Sequence, residues 1–146
     1  LWIPLTSGVS LAYIVKSLLY DLTLIAFVVP AAAITFLTLI SRINPFIPLV
    51  LITSVSLIGC STQLYVTMRF LEKQRKATPS ILISWASMLL SGLLTAPTYV
   101  YVTLSFLLSL NTEINLILSV PIILYSTIIF AYLSKMLEKK VPVIEI

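Results

Sequence analysis

Long apolar runs separated by short charged clusters dominate the pattern along this chain. Four intervals contain no charged residue: 22–41, 43–68, 77–112 and 114–134. A helix needs about 20 apolar residues, at a rise of 1.5 Å each, to cross a hydrocarbon core about 30 Å thick. Each interval is therefore long enough for a membrane-spanning helix. We predict four spans, at about 17–40, 48–70, 80–97 and 114–134.

The third uncharged interval, residues 77–112, is too long for a single crossing. A continuous helix of that length would measure about 54 Å, whereas two crossings and a turn need about 40 residues or more. Pro97 lies near the middle and lacks the N–H that a helical hydrogen bond requires. We therefore expect a break after span three, with residues 98–112 lying in the far interface or re-entering the membrane. Such backbone must be covered by protein or water.

The two ends of the chain are expected to lie outside the spans. Residues 1–16 contain a cluster of turn and cap residues, Pro4, Thr6, Ser7 and Gly8, which favours an interfacial lead-in to span one. Residues 135–146 follow the last apolar run and are predicted to form a cytoplasmic tail.

Basic residues determine the expected orientation. With four spans, eight of the nine Lys and Arg residues fall on one side of the membrane, and Arg42 falls on the other. Because basic residues concentrate on the cytoplasmic side, both termini are predicted to be cytoplasmic. Two groups set this topology, one in the 69–76 loop and one in the tail: Arg69, Lys73, Arg75, Lys76, Lys135, Lys139 and Lys140. An odd number of spans would separate the two groups, so their positions also favour four.

Composition supports the same class of protein. The chain is 60% hydrophobic and 10% charged, with a mean hydropathy of +1.13, whereas soluble domains are about 45–50% apolar and about 25% charged. We predict an all-α, polytopic membrane helical bundle of one domain. The net charge of +4 lies at the ends of apolar runs, which indicates lipid headgroups and not nucleic acid as the partner.

Residue counts exclude most catalytic chemistry. The chain has no histidine, and Cys60 is its single cysteine, so a Ser-His pair, a Cys-His pair or a CxxC metal site cannot form within it. Gly8, Gly59 and Gly92 are too far apart for a phosphate-binding loop. We expect no catalytic residue, no bound cofactor and no metal site.

Two stripes of small polar residues are the candidate functional features. Both follow helical spacing, one in span two and one in span three: Thr53, Ser56, Cys60, Gln63 and Thr67, then Ser84, Ser87, Ser91, Thr95 and Thr98. In lipid, such residues allow helices to approach closely and form hydrogen bonds between them, so packing is the favoured interpretation. The alternative is that the stripes line a transport path, with Gln63 as the best single candidate; for Gln63 itself, an interhelical hydrogen bond is the favoured role.

The order of features resembles the C-terminal part of an ABC-2 type transporter permease. Pro4-Leu5-Thr6-Ser7 and then Lys16-Ser17-Leu18-Leu19 are similar to the family's Pro-x-Ser segment and Gly-Lys-Leu-Leu entry into a span. The basic loop from Met68-Arg69-Phe70 to Arg75-Lys76 is similar to the loop that follows. Leu90-Ser91-Gly92 and Pro97 resemble the span that breaks into a re-entrant segment. Gly8 and Val15 depart from the family pattern.

The resemblance implies a plasma-membrane permease that pairs with a second permease subunit and a separate nucleotide-binding ATPase subunit. ATP hydrolysis would occur on that other subunit, and the path would lie where two permeases meet. Two further spans and a coupling helix would precede Leu1. The alternative hypothesis is a noncatalytic tetraspan subunit that stabilises a larger membrane complex, with the stripes as docking faces.

Overall fold

A computed structural model describes residues 11–41, 46–73, 80–108 and 111–140, and these contain four α-helices and no strand. The helices are α1 (Leu11–Ser41), α2 (Phe46–Lys73), α3 (Ser80–Leu107) and α4 (Thr112–Lys140). Each is long and apolar enough to cross a membrane. The predicted all-α membrane bundle with four spanning helices is confirmed.

All four helices extend beyond the predicted spans, and α1 and α4 include residues that were expected in the lead-in and the tail. Residues 11–16, expected in the lead-in, belong to α1, because Val15 continues its apolar face and is buried with Leu19. Residues 135–140, expected in the tail, belong to α4, because Leu137 is buried against the bundle. Apolar contacts outside the charge-free intervals therefore prolong both helices. The cap cluster before residue 11 and the segment after residue 140 lie outside the described residues.

The third helix is continuous where a break was expected. Pro97 lies inside α3, which runs without interruption from Ser80 to Leu107. Its 28 residues measure about 42 Å, a length that a tilted helix can fit across a bilayer. The loss of one backbone hydrogen bond at proline is tolerated in membrane helices. A short link follows, and Asn115 N–H already donates to Asn111 O at 3.0 Å.

Helix α2 occupies the centre of the bundle and contacts α1, α3 and α4. At one end, the start of α1 and the ends of α2 and α4 meet in an apolar group that we call the terminal cluster: Val15, Leu19, Leu64, Tyr65, Val66, Leu133 and Leu137. Sequential helices are thus antiparallel, and both ends of the described chain lie at this end. Burial of these side chains stabilises the arrangement.

Small polar side chains fill much of the remaining interior. They come from all four helices: Thr23, Ser54, Ser56, Ser61, Thr62, Ser87, Thr95, Thr98, Ser105, Asn115, Ser119 and Ser126. Large apolar side chains face outward instead, among them Phe36, Leu93 and Ile117. A soluble bundle has the opposite distribution, because its apolar groups must leave water. Here lipid solvates the apolar surface, and small residues inside let the helix backbones approach.

Hydrogen bonds from side chains to backbone carbonyls join neighbouring helices in the described part of the chain. Ser56 Oγ donates to Ala26 O at 2.9 Å, which joins α2 to α1. Tyr125 OH donates to Leu94 O at 3.1 Å, and Tyr101 OH donates to the Asn115 carbonyl at 3.1 Å; both join α3 and α4. These bonds link helices in the middle and at the end opposite the terminal cluster.

Candidate functional site

The polar stripe of α2 does not face one environment. Ser56 is buried, Thr53, Cys60 and Thr67 are half-buried, and Gln63 is exposed. Thr53 Oγ1 donates to Leu49 O and Thr67 Oγ1 to Gln63 O within the same helix. Of these hydroxyls, Ser56 is the one that bonds to another helix. The stripe therefore packs against α1 near Ser56 and turns outward at Gln63.

Gln63 lies on the outer surface of the bundle, within the apolar stretch Phe46–Phe70. The expected interhelical hydrogen bond from its amide is not seen among the described residues. An amide that meets hydrocarbon without a partner carries a free-energy cost of several kcal/mol (about 2–7). Gln63 is therefore placed where contact with another membrane protein would be favourable.

A second row on α2 is more deeply buried than the stripe. It contains Ser54, Ile58, Ser61, Thr62 and Tyr65, the first four of which are fully buried, while Tyr65 is 8% exposed. The hydroxyls of Ser61 and Thr62 donate to carbonyls of their own helix. Sequence reasoning missed this row because Ile58 and Tyr65 interrupt its polarity. The sequence does contain one indication of this buried face: Ser54 and Ser61 are seven positions apart, which places two small residues on the same side of the helix.

The stripe of α3 is buried along most of its length. Ser87 and Thr95 are 3% exposed, Ser91 is half-buried, and Ser84 is exposed. The hydroxyls of Ser87, Ser91 and Thr95 donate to carbonyls of α3 itself: Ser84 O, Met88 O and Ser91 O. Thr98, Tyr101 and Ser105 continue the buried face. Three hydroxyls of this face are used within the helix, whereas the buried Thr98 hydroxyl has no hydrogen-bond partner among the described residues, so the face serves close packing for most of its length.

The described topology-setting residues lie at the end of the bundle that holds the terminal cluster. Arg69 is near the end of α2, where it donates to Tyr65 OH at 3.3 Å, and Lys135 and Lys139 are exposed near the end of α4. Lys73 and Lys140 are the last residues of their helices, but their side chains, with Arg75 and Lys76, lie outside the described residues. Glu113 lies in the first turn of α4, at the opposite end.

A crevice of about 380 Å³ opens on the outer surface between α1 and α2. Leu24 and Phe27 of α1, Leu57 of α2 and Phe130 of α4 give it an apolar lining, and Thr53 and Ser56 of the α2 stripe also border it. Tyr20 also lines it and packs edge-to-face on Phe130, with ring centroids 5.8 Å apart. Its volume lies within the range of small-molecule sites, about 300–1,000 Å³.

Within the part of the chain that the structure describes, no group of three or more His, Cys, Asp or Glu residues is placed to hold a metal ion. No protein-family model, curated protein or solved structure matches the chain. The class of this protein is therefore assigned from its fold and its surface alone. The chain is a multi-pass helical membrane protein with a small-residue interior, an outward-facing amide and an apolar crevice.

Proposed function

We propose that this chain is the membrane-spanning permease part of an ATP-driven transporter of the ABC-2 type, which moves a substrate across the plasma membrane together with a separate ATPase subunit. The order of the Pro4–Ser7 segment, the Lys16 entry and the basic loop after Arg69 supports this proposal. The dispersed glycines leave no phosphate-binding loop in this sequence, so ATP would bind to another chain.

Exposed Gln63 is the observation that carries the proposal furthest. Its amide lies on the outer surface of a spanning helix, where contact with hydrocarbon is unfavourable. A second subunit seated on α2 would satisfy it. Within the described helices, most interior hydroxyls donate to carbonyls of their own helix, and those of Ser54 and Thr98 are buried without a partner. A substrate path would then lie between subunits, as the family arrangement implies.

The distribution of charge supports cytoplasmic termini in this proposal. Lys16, Arg69, Lys135 and Lys139 gather at the end where α1 begins and α2 and α4 end. Basic residues are retained on the cytoplasmic side during insertion. The ATPase subunit would contact this end of the bundle, and the end where α3 ends and α4 begins would face outward.

A noncatalytic tetraspan subunit is the second candidate, and continuous α3 favours it. The re-entrant segment of the ABC-2 family has no counterpart in Ser80–Leu107, where Pro97 lies inside an unbroken helix. In this candidate, Gln63 would dock against another subunit of a larger membrane complex, and no ATPase would be required.

Purification from native membranes distinguishes the two candidates. The chain, with an affinity tag after its last residue, is isolated in mild detergent, and partners are identified by mass spectrometry. The permease proposal predicts a stoichiometric partner with a Walker motif, and ATP hydrolysis that disappears when the Walker lysine of that partner is replaced. A stable complex of membrane subunits with no ATPase would overturn it and support the second candidate.

A matched pair of variants tests the role of Gln63 in either assembly. Gln63→Leu removes the exposed amide, and Val55→Leu changes another exposed side chain of α2. We expect Gln63→Leu to reduce recovery of the partner several-fold, because the hydrogen bonds at the contact are lost, and Val55→Leu to leave recovery unchanged. Equal recovery with both variants would remove Gln63 from the interface.

A further inference from the structure

A second recess, which carries charged side chains, lies beside the crevice along α1. The recess has a volume of about 280 Å³ and is lined by Tyr13, Lys16, Ser17, Tyr20 and Asp21. Tyr20 borders both spaces. Residues spaced three or four apart share one side of a helix, so the recess and the crevice lie in line along one side of α1, with Tyr20 between them. We call the two together the α1 groove.

The α1 groove carries charged groups at one end only. Lys16 and Asp21 lie near the start of α1, and the lining around Leu24 and Phe27 is apolar. From Tyr13 to Phe27 the helix rises about 21 Å, which is more than half of a hydrocarbon core about 30 Å thick. This order, charged near the membrane surface and apolar further in, matches a phospholipid headgroup followed by its acyl chain.

The charges of the recess favour one type of headgroup. Lys16 Nζ donates to Glu138 Oε1 at 2.7 Å, but an ammonium has three N–H donors, and 48% of the Lys16 side chain remains exposed. Asp21 is exposed and accepts a long hydrogen bond, 3.4 Å, from Ser17 Oγ. The lining of the recess and the ion pair together hold one cation and two carboxylates, which disfavours a headgroup with a net negative charge; Lys135 and Lys139 of α4 do not line the recess.

We propose that the α1 groove binds one molecule of phosphatidylethanolamine. Its phosphate accepts hydrogen bonds from Lys16, its ammonium donates to Asp21, and one acyl chain lies in the crevice against Leu24, Phe27 and Leu57. Phosphatidylcholine lacks N–H groups to donate to Asp21. Phosphatidylglycerol supplies no cation to balance Asp21 and Glu138. The site does not depend on whether the protein is a permease.

Lipid titration followed by native mass spectrometry tests the headgroup contacts. The whole chain in mild detergent is titrated with phosphatidylethanolamine, phosphatidylcholine and phosphatidylglycerol that carry identical acyl chains. We expect phosphatidylethanolamine to bind about tenfold more tightly than either competitor, the value of about one charge-assisted hydrogen bond. Equal binding of the three lipids, or tighter binding of phosphatidylglycerol, would overturn the proposal.

Three charge variants separate the headgroup contacts from the ion pair. Asp21→Asn should abolish the preference for phosphatidylethanolamine, and Lys16→Gln should weaken binding of all three lipids. Glu138→Gln removes the same ion pair but keeps the Lys16 cation, so it should retain phosphatidylethanolamine binding within about twofold. If Lys16→Gln and Glu138→Gln lose the lipid equally, binding depends on the ion pair, and the assignment of Lys16 to the phosphate is wrong.

Two tryptophan variants test the position of the acyl chain. Leu24 lines the crevice and Leu124 lies elsewhere on the outer surface, with 62% and 57% of their areas exposed, so neither replacement disturbs the packed interior. Leu24→Trp should fill the crevice and lower phosphatidylethanolamine affinity about tenfold, whereas Leu124→Trp should leave it unchanged. Equal affinities for the two variants would show that the lipid does not occupy the crevice.

Discussion

Lys16 Nζ lies 2.7 Å from Glu138 Oε1, and this ion pair joins the first turns of α1 to the last turns of α4. The two residues are 122 positions apart in the chain. Their contact requires an even number of crossings between them if both lie at the same membrane surface. The four antiparallel helices meet this requirement, and the terminal cluster holds the same helix ends together.

Breaking this ion pair should have a small effect on stability. The side chains of Lys16 and Glu138 are 48% and 44% exposed, and solvent screens ion pairs in such surroundings. We expect Glu138→Gln to lower the free energy of unfolding only slightly. Thermal unfolding in detergent measures the change at low and high salt, since screening should reduce it further.

The charge-reversed double variant, Lys16→Glu with Glu138→Lys, is the control for that measurement. It restores opposite charges at the same two positions and should recover most of the lost stability. If the double variant is no more stable than the sum of its single variants, the two side chains do not interact in the protein.

A large side chain at Ser87 should disturb the bundle more than one on the outer face. Ser87 is 3% exposed, whereas Leu89 of the same helix is 68% exposed. We expect Ser87→Leu to cost about 1–3 kcal/mol, because added volume in a packed interior forces neighbouring helices apart. Leu89→Phe should be near neutral. Equal thermal stability of these two variants in detergent would contradict the buried position of this face.

Larger side chains in the deeply buried row of α2 should destabilise the fold at least as much as larger side chains in its polar stripe. Ser61 is 0% exposed in the centre of the bundle, whereas Gln63 is on the surface. We expect Ser61→Leu to destabilise the fold by about 1–3 kcal/mol and Gln63→Leu to leave the isolated chain at least as stable. The same unfolding assay compares them, and the opposite ranking would show that the stripe is the inner face.

Continuous α3 predicts protection of the residues that follow Pro97. Single cysteines replace Val100, Thr103 or Glu113 in a chain that carries Cys60→Ala. In vesicles, a water-soluble maleimide should label the Glu113 position, at the start of α4, and react poorly at positions 100 and 103, because hydrocarbon excludes the reagent from a spanning helix. Rapid labelling at 100 and 103 would support a broken segment in place of the helix.

The position of Gln63 illustrates the limit of spacing arguments on a central helix. Thr53, Ser56, Cys60, Gln63 and Thr67 share a periodic pattern, but α2 is surrounded by three neighbours that do not cover its sides equally. The inward direction therefore depends on where α1, α3 and α4 pack. The spacing predicted that Ser56 lies in a contact between helices. It could not identify the partner, because the acceptor is the backbone carbonyl of Ala26, and every residue has such a carbonyl.

Pro97 illustrates a different limit. A missing donor is a local property that sequence reveals, but its consequence depends on whether the surrounding helix contacts compensate for it. Buried Thr95, Thr98 and Tyr101 hold α3 against the bundle on both sides of the proline. The proline therefore interrupts one hydrogen bond without ending the helix.

The amino-acid sequence by itself determined that this protein lies in lipid, that it is all-helical and that it has four membrane-spanning helices. These follow from local transfer free energies, since each apolar run prefers hydrocarbon and each charged cluster prefers water whatever its neighbours are. Only the tertiary structure decided which side of α2 is buried, that Lys16 meets Glu138, and that one face of α1 borders a groove. Those features depend on how helices distant in the chain approach one another, and side-chain volumes and contacts between helices set that approach.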